Sequence, residues 1–435
     1  MASTKITRTS SASSEKKLTI STWIKRSYIG EESLIGNTSS GTNWAMFYFN
    51  GNNNLQFASY VGGSYAMRVT TSRTFSDVGA WYHLVATVDV SLSSPEVKIY
   101  VNGVEQTDLA YNVVPSQNAD IGWFNAWDFE IGVMFGSSYY LNGYLADLYY
   151  IQGYIYPAST FGQTDSTTGQ WKPIPSPSIN YGGNGGNSCN LKFEDSSNMD
   201  LDSGSNNLSF TTSGTLTQTQ DNPSNNFCTW NSVKKLTLTL SNGNTTTSAN
   251  GDNGVWGTIG DNQGKWYWET QQNANSTMMG IASEDVTQST DRSSNAGVYG
   301  VQNGTTYAYY RNNGSSGQSS GFPQVTNSNV LCHALDLDNG KYYLGIDGTF
   351  KDLSGTTSDI SAGSNATFTG LDTTKFWFPF TESRGNGAGC DANFGNGFLG
   401  TTAISSAGTN ASNIGNFEYD VPAGFTAWST KGLNE

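Results

Sequence analysis

Apolar residues recur along this chain at alternate positions, in runs of strand length bounded by Gly, Asn and Ser. In KLTISTWIK, Leu18, Ile20 and Ile24 share one face and Trp23 takes the other. WYHLVATVD (81–89) sets Tyr82, Leu84, Ala86 and Val88 against Trp81, His83, Val85 and Thr87. FYFNGNNNLQFASY reads as a hairpin with an Asn/Gly-rich turn. KIYVNG (98–103) alternates up to Asn102-Gly103, and KYYLGIDG (341–348) does so up to Asp347-Gly348. Both pairs supply the positive φ of a tight hairpin turn and place no reactive group there, so they mark scaffold. No long helix-period segment, heptad or short exact repeat is present, and the pattern predicts an all-β protein of antiparallel sandwiches.

The run SYYLNGYLADLYYIQGYIY closes a first set of strands, which a long loop over 114–130 interrupts. From about 163 to 190 the chain becomes rich in Pro, Gly and Asn, as linkers and extended crossovers are. Strands resume beyond Cys228 in KKLTLTL, GKWYWET, STMMGIAS, VLCHALDLD and KFWFPF. The predicted division is an arm over 1–16, a sandwich over 17–165, a linker with crossover strands over 166–227 and a second sandwich over 228–435.

Composition narrows the function classes. The 435 residues include 50 Gly, 23 Tyr, 21 Phe and 12 Trp but only 13% charged residues, which suits strands and tight turns. A formal charge of −14 with no dense Lys/Arg cluster argues against nucleic acid as a partner. Four widely spaced cysteines form no CxxC pair, leaving either one or two bridges or buried thiols, and two histidines cannot build a multi-histidine metal site. His83 and His333 both lie in strand runs and read as structural. No stretch has the length of a membrane span, and no apolar run of signal-peptide length follows the polar start, so the expectation is a cytoplasmic product at synthesis, for which an extracellular working place would require a way out such as cell lysis.

Three phrases, TISTWIKR, AWYHLVATVD with KIYVNGVEQ, and LNGYLADLYYIQGYIYPASTFG, resemble in order and spacing laminin-G-like and pentraxin-like jelly rolls of the concanavalin A class, with Pro157 where that class often has leucine. GKWYWET, MMGIAS, GVYG, LDLDNGKYYLGIDGTF and KFWFPF resemble the ordered strands of a SPRY (B30.2-type) sandwich, although the Gly/Ser/Asn-rich loops depart from most cellular members. The STKITRT arm, FGQTDSTTGQWKP, LKFEDSS, TQDNPSNNFCTWN and FEYDVPAGFTAW together resemble a group of virion proteins of tailed, marine-type phages. That resemblance implies a virion surface protein of fibre or adhesin type and a homo-oligomer. Its arm would dock on other virion proteins, and its loops would meet a host-surface glycan or protein. The alternative it leaves open is a decoration or cement protein of head or tail.

Candidate chemistry follows. Trp123, Phe124 and Trp127, with Asn125, cluster on the 114–130 loop, where flat rings and amides suit the two sides of a pyranose; the other reading of these rings is a plug for the sandwich end or a subunit contact. Tyr307 and Tyr310 beside a Gly/Ser-rich loop form a second rim candidate. The laminin-G and pentraxin resemblance implies Ca²⁺ at the rim, for which Asp89, Asn118, Asp120 and Asp128 are the oxygen donors at hand. Concanavalin-like folds also include glucanases; their Glu-x-Asp-x-x-Glu signature is absent, and Asp128 and Glu130, two apart near a strand start, are a pair of a sort frequent in acidic chains, so the expectation is a protein without catalysis, with a polysaccharide hydrolase as a further alternative.

Overall fold

The computed structural model describes residues 4–182, 186–251, 253–274, 277–286, 295–299, 308–312, 315–383 and 386–434. The chain is all-β and divides into two compact units, 1–218 and 219–435.

In the first unit twelve strands run up to residue 152: β1 Lys5–Thr9, β2 Lys17–Arg26, β3 Glu32–Ser40, β4 Asn43–Phe49, β5 Asn54–Val61, β6 Ser64–Thr74, β7 Trp81–Asp89, β8 Glu96–Val101, β9 Val104–Glu105, β10 Leu109–Val113, β11 Asp128–Ile131 and β12 Gly143–Gln152. An eight-stranded sheet has the order β10-β6-β5-β4-β3-β11-β1 and ends on Thr211–Ser213. A six-stranded sheet begins on Cys189–Leu191 and continues β12-β2-β7-β8-β9. Every pairing within both sheets is antiparallel. The predicted alternation holds at the core: Leu18, Ile20, Ile24, Tyr82, Leu84, Ala86 and Val88 from one sheet meet Ala45, Phe47, Phe49, Leu55 and Phe57 from the other. The β8–β9 hairpin turns on Asn102 and Gly103, at φ 48° and 81°.

Two expectations about the ends of this unit are corrected. Residues 4–16 are not a free docking arm: β1 pairs with β11 on one side and Thr211–Ser213 on the other, Ile6 is buried, and the Ser10 and Ser13 amides donate to the Trp127 and Phe124 carbonyls. The segment after 165 is no bare linker either, because Gly162–Thr164 and Trp171–Pro173 form a hairpin against the outer face of the six-stranded sheet. Trp171 Nε1 donates to His83 Nδ1 at 3.1 Å, and His83 in turn stacks on Trp23 with ring centroids 4.7 Å apart. An indole can only donate, so Nδ1 is the acceptor and the His83 proton sits on Nε2, which donates to Ser21 Oγ at 2.9 Å. Ser21 is therefore not set up to lose its proton to this ring, and burial pushes the imidazole down to about 3. His83 is structural, as the strand pattern predicts.

β12 carries a register shift between Ala146 and Tyr149, with Asp147 at φ 48°. Burial, reinforced by Glu194 and opposed by Lys192, pushes the Asp147 carboxyl up to about 6. A carboxyl raised in the folded state favours the neutral form, so its advantage is complete below about pH 4 and is lost as pH rises through 6. Asp147→Asn keeps a residue tolerant of positive φ and removes the charge. At pH 8 it is expected to stabilise the chain by about 2 kcal/mol and at pH 4 by almost nothing, read from urea midpoints at the two pH values.

The second unit is another β-sandwich, with a seven-stranded and a nine-stranded sheet among the described residues, antiparallel but for Thr426–Ala427, which pairs parallel to Lys265–Ala274. Val255, Met279, Ile281 and Trp377 of the first meet Trp266, Trp268, Leu331, Leu335 and Leu344 of the second. All four cysteines are free and buried. His333, fully buried, bonds Thr270 and Tyr342 and stacks on Trp268 at 4.5 Å, which again is a core role.

Candidate functional site

The loop expected to hold sugar turns inward. Asn37 Nδ2 donates to the Gly122 and Asn125 carbonyls at 2.8 and 3.0 Å, drawing the loop down over the end of the sandwich. Trp123 is 0% exposed and packs on Phe57 and Tyr150, and Phe124 is buried beside it. Neither offers a surface to a ligand. Trp127 is half-buried against Gly122, where a Cβ would lie 2.5 Å from its ring and φ is 72°. Asn125 spends its side-chain amide on both Asp120 oxygens, at 3.0 and 3.2 Å. These rings plug the core because the loop brings more apolar area than polar, and burying it outweighs display.

The calcium expectation is corrected as well. Asp120 caps its own turn through the Gly122 amide and holds Asn125; Asp89 accepts from Ser91 and faces Lys17 at 3.6 Å; Asp128 accepts from Thr9 Oγ1 at 3.2 Å. Asn118 sits exposed at φ 57°, a turn conformation. Among the described residues no three Asp, Glu, His or Cys side chains group to hold a metal. In the second unit Tyr310 is half-buried against the core near Phe368, and Tyr307 lies outside the described residues.

The structure instead collects candidate chemistry on the outer face of the eight-stranded sheet. On β4, Ala45, Phe47 and Phe49 point into the core, so Trp44, Met46 and Tyr48 point out. Register then builds rows across the strands. One row runs Val113, Arg68, Ala58, Met46, Gly36, Glu130, Thr7, Thr211. Beside it lies Tyr65, Tyr60, Trp44, Thr38, Asp128, Thr9, and on the other flank Tyr111, Thr70, Gln56, Tyr48.

Ala58, Met46 and Gly36 in the middle row are small or fully covered and lie between two aromatic flanks. Trp44 and Tyr60 stack at 5.5 Å and 17°, and Tyr65 stands edge-on to both, at 5.9 and 5.1 Å. Tyr65 and Tyr111 are 41% and 48% exposed, large values for aromatic side chains. Met134 and Phe135, from the loop after β11, pack on Trp44, Met46 and Tyr48 and wall one side.

Glu130 anchors that wall. It accepts from Thr38 Oγ1 at 2.7 Å and from the Phe135 and Gly136 amides, and burial pushes its carboxyl up. Asp128, two residues away on the same face, is exposed. The buried carboxyl thus already serves three donors that position a loop. Sequence reasoning missed this face, although it left a signal: in NWAMFYF both alternating sets are apolar, which a strand with one solvated face does not need.

Comparison with known proteins places a family model on the first unit and finds solved structures similar to parts of the chain. No curated protein matches the chain. Solved structures with similarity include the SPRY domain of human HERC1, at 13% identity and a TM-score of 0.27 over 38% of this chain and 96% of that one. The heptameric SAP-like pentraxin of Limulus polyphemus matches at 17% identity and 0.28, over 36% and 74%. Domain 4 of AbnA, a GH43 extracellular arabinanase of Geobacillus stearothermophilus solved with arabinotriose, matches at 19% and 0.26, over 33% and 65%. Residues 2–153 match the Laminin_G_3 family model, described as the concanavalin A-like lectin/glucanases superfamily, a span that runs from the start of the chain to the end of β12.

Proposed function

We propose that the protein is a non-enzymatic adhesin on a phage virion, assembled in several copies, that holds a host-surface glycan on the outer face of its eight-stranded sheet. The observation that carries the reading is the stacked aromatic row of exposed Tyr65, half-buried Tyr60 and buried Trp44 on that face, with exposed Tyr111 across from it. Flat rings cover the apolar face of a pyranose, and the exposed Asp128 on the same face supplies an acceptor for hydroxyls. Each contact is weak, and many copies facing one cell turn weak contacts into firm attachment. The concanavalin-like match over the first unit and the resemblance to virion proteins agree with this role. Glu130 is given to the loop wall, so no acid and base pair enters the mechanism.

A second reading, a particle cement protein, has one observation in its favour. β10 is an open edge strand with no charge or proline, and Tyr111, Val113 and Val114 on or beside it are 45–48% exposed, as a strand awaiting a partner would be. One experiment separates the two. Binding of the purified protein to a glycan array, to host cells and to phage particles lacking it is compared with that of Tyr60→Ala/Tyr65→Ala. The adhesin reading expects glycan and cell binding that drops at least about tenfold in the variant, at roughly 1 kcal/mol per stacked ring, with the unfolding midpoint nearly unchanged. Binding to particles alone, unaffected by the variant, would establish the cement role.

A further inference from the structure

We propose that this sheet face takes an acidic glycan: a run of neutral sugars ending in a carboxylate-bearing residue such as a uronate, with that carboxylate held by Arg68. The inference rests on the glycan reading above and adds the ligand's charge and its direction.

Arg68 stands at the β6 end of the middle row, with its guanidinium carbon 3.6 Å from the Tyr111 ring centroid and 5.0 Å from that of Tyr65. The two rings fix the plane of the group. Its Nε donates to Gln56 Oε1 at 3.4 Å, and Gln56 is itself fixed by Thr70 Oγ1 at 2.9 Å and by the Tyr48 hydroxyl. No hydrogen-bond or ion-pair partner meets the two Nη groups among the described residues. The chain is acidic, with 35 Asp and Glu against 21 Lys and Arg. Several of its other cations meet carboxylates: Lys17, Lys98, Lys172, Lys192, Lys265, Lys375 and Arg26 do. An arginine held flat between aromatics in such a chain, with its terminal donors unused, presents the paired N–H geometry that a carboxylate accepts.

The far end of the face sets the direction. Asp128 and Glu130 lie on β11, four strands from β6, roughly 19 Å at ~4.8 Å per strand. A second carboxylate there would meet like charge, whereas sugar hydroxyls would find acceptors. The acidic residue therefore belongs at the Arg68 end and neutral sugars along the aromatic row.

The test is an array of matched pairs, each oligosaccharide capped by a uronate and its carboxyl-reduced counterpart, probed with the full chain. Within a pair the uronate is expected to bind about ten- to a hundredfold tighter, the worth of a hydrogen bond to a charged group, and to weaken with added salt while the reduced form does not. Arg68→Gln should level each pair while leaving the reduced form bound, which also certifies that the variant is folded; Arg68→Lys should restore part of the difference. Equal binding within pairs, or a preference that survives Arg68→Gln, overturns the acidic-ligand inference and leaves the glycan reading intact. No binding to either member of any pair removes both.

Discussion

Glu32→Gln is expected to destabilise the first sandwich by about 3–5 kcal/mol, the cost of leaving a buried charge without its counter-ion. Glu32 and Arg26 are both fully buried, with Nε and Oε2 3.0 Å apart. Every other arm of the guanidinium is also used: Nη1 donates to the Phe75 carbonyl at 2.6 Å, Nη2 to the Gly30 carbonyl at 2.7 Å, both reach Asn53 Oδ1, and the group lies 4.2 Å from the Phe49 ring centroid. Glu32 Oε1 accepts from the Asn142 amide at 2.8 Å, so the pair ties β2 and β3 to the turns before β5, after β6 and before β12. The amide of glutamine keeps the shape and loses the charge. Urea unfolding of the variant measures the loss, and the double change Arg26→Met/Glu32→Leu, which removes both charges, should recover much of it. A shift below about 1 kcal/mol for Glu32→Gln would mean that the carboxylate does not offset the guanidinium.

In the second unit the corresponding change is Glu269→Gln, expected to cost about 3 kcal/mol. Glu269 is 0% exposed, and among the described residues no cation stands beside it. Four donors surround it instead: the Tyr419 amide at 2.8 Å and the Tyr267 hydroxyl at 3.0 Å on Oε1, the Glu418 amide at 2.9 Å and Asn393 Nδ2 at 3.2 Å on Oε2. A glutamine in its place turns an NH₂ toward N–H groups that need an acceptor, whichever way it is flipped. Because two of the donors are backbone amides of the Glu418–Tyr419 segment, the loss should appear first as faster hydrogen exchange at those amides and then as a lower urea midpoint. If both amides stay protected in the variant, another acceptor holds that segment down.

Much of the architecture was legible in local pattern. The β2 and β7 alternation names the residues that enter the core, and Asn102-Gly103 and Asp347-Gly348 turn with positive φ at both positions, because side-chain alternation and turn sterics depend on neighbours along the chain alone. Trp266, Trp268 and Trp377 lie in the strand runs GKWYWET and KFWFPF and enter the core of the second unit. The domain edges were not. The polar STKITRT stretch looks like an unstructured arm, and only the open side of β11 makes it a strand, since a ladder bond needs a partner remote in sequence.

The candidate site was hidden by a similar limit. A tryptophan on a polar loop and one on a strand carry the same apolar area, and which of them is displayed depends on what packs above it. Trp123 lost its surface because Asn37, far away on β3, pulls its loop over the end of the core. Tyr60 and Tyr65 kept theirs because the face they occupy is walled at one side by the loop that Glu130 holds. By itself the sequence determined the all-β class, the strands, their turns and the inward positions of β2 and β7, all set by period-two alternation and local backbone preference. Tertiary structure alone decided which aromatics meet solvent and that Arg68 stands among them without a carboxylate, because exposure and pairing are properties of contacts between strands that no stretch of chain contains.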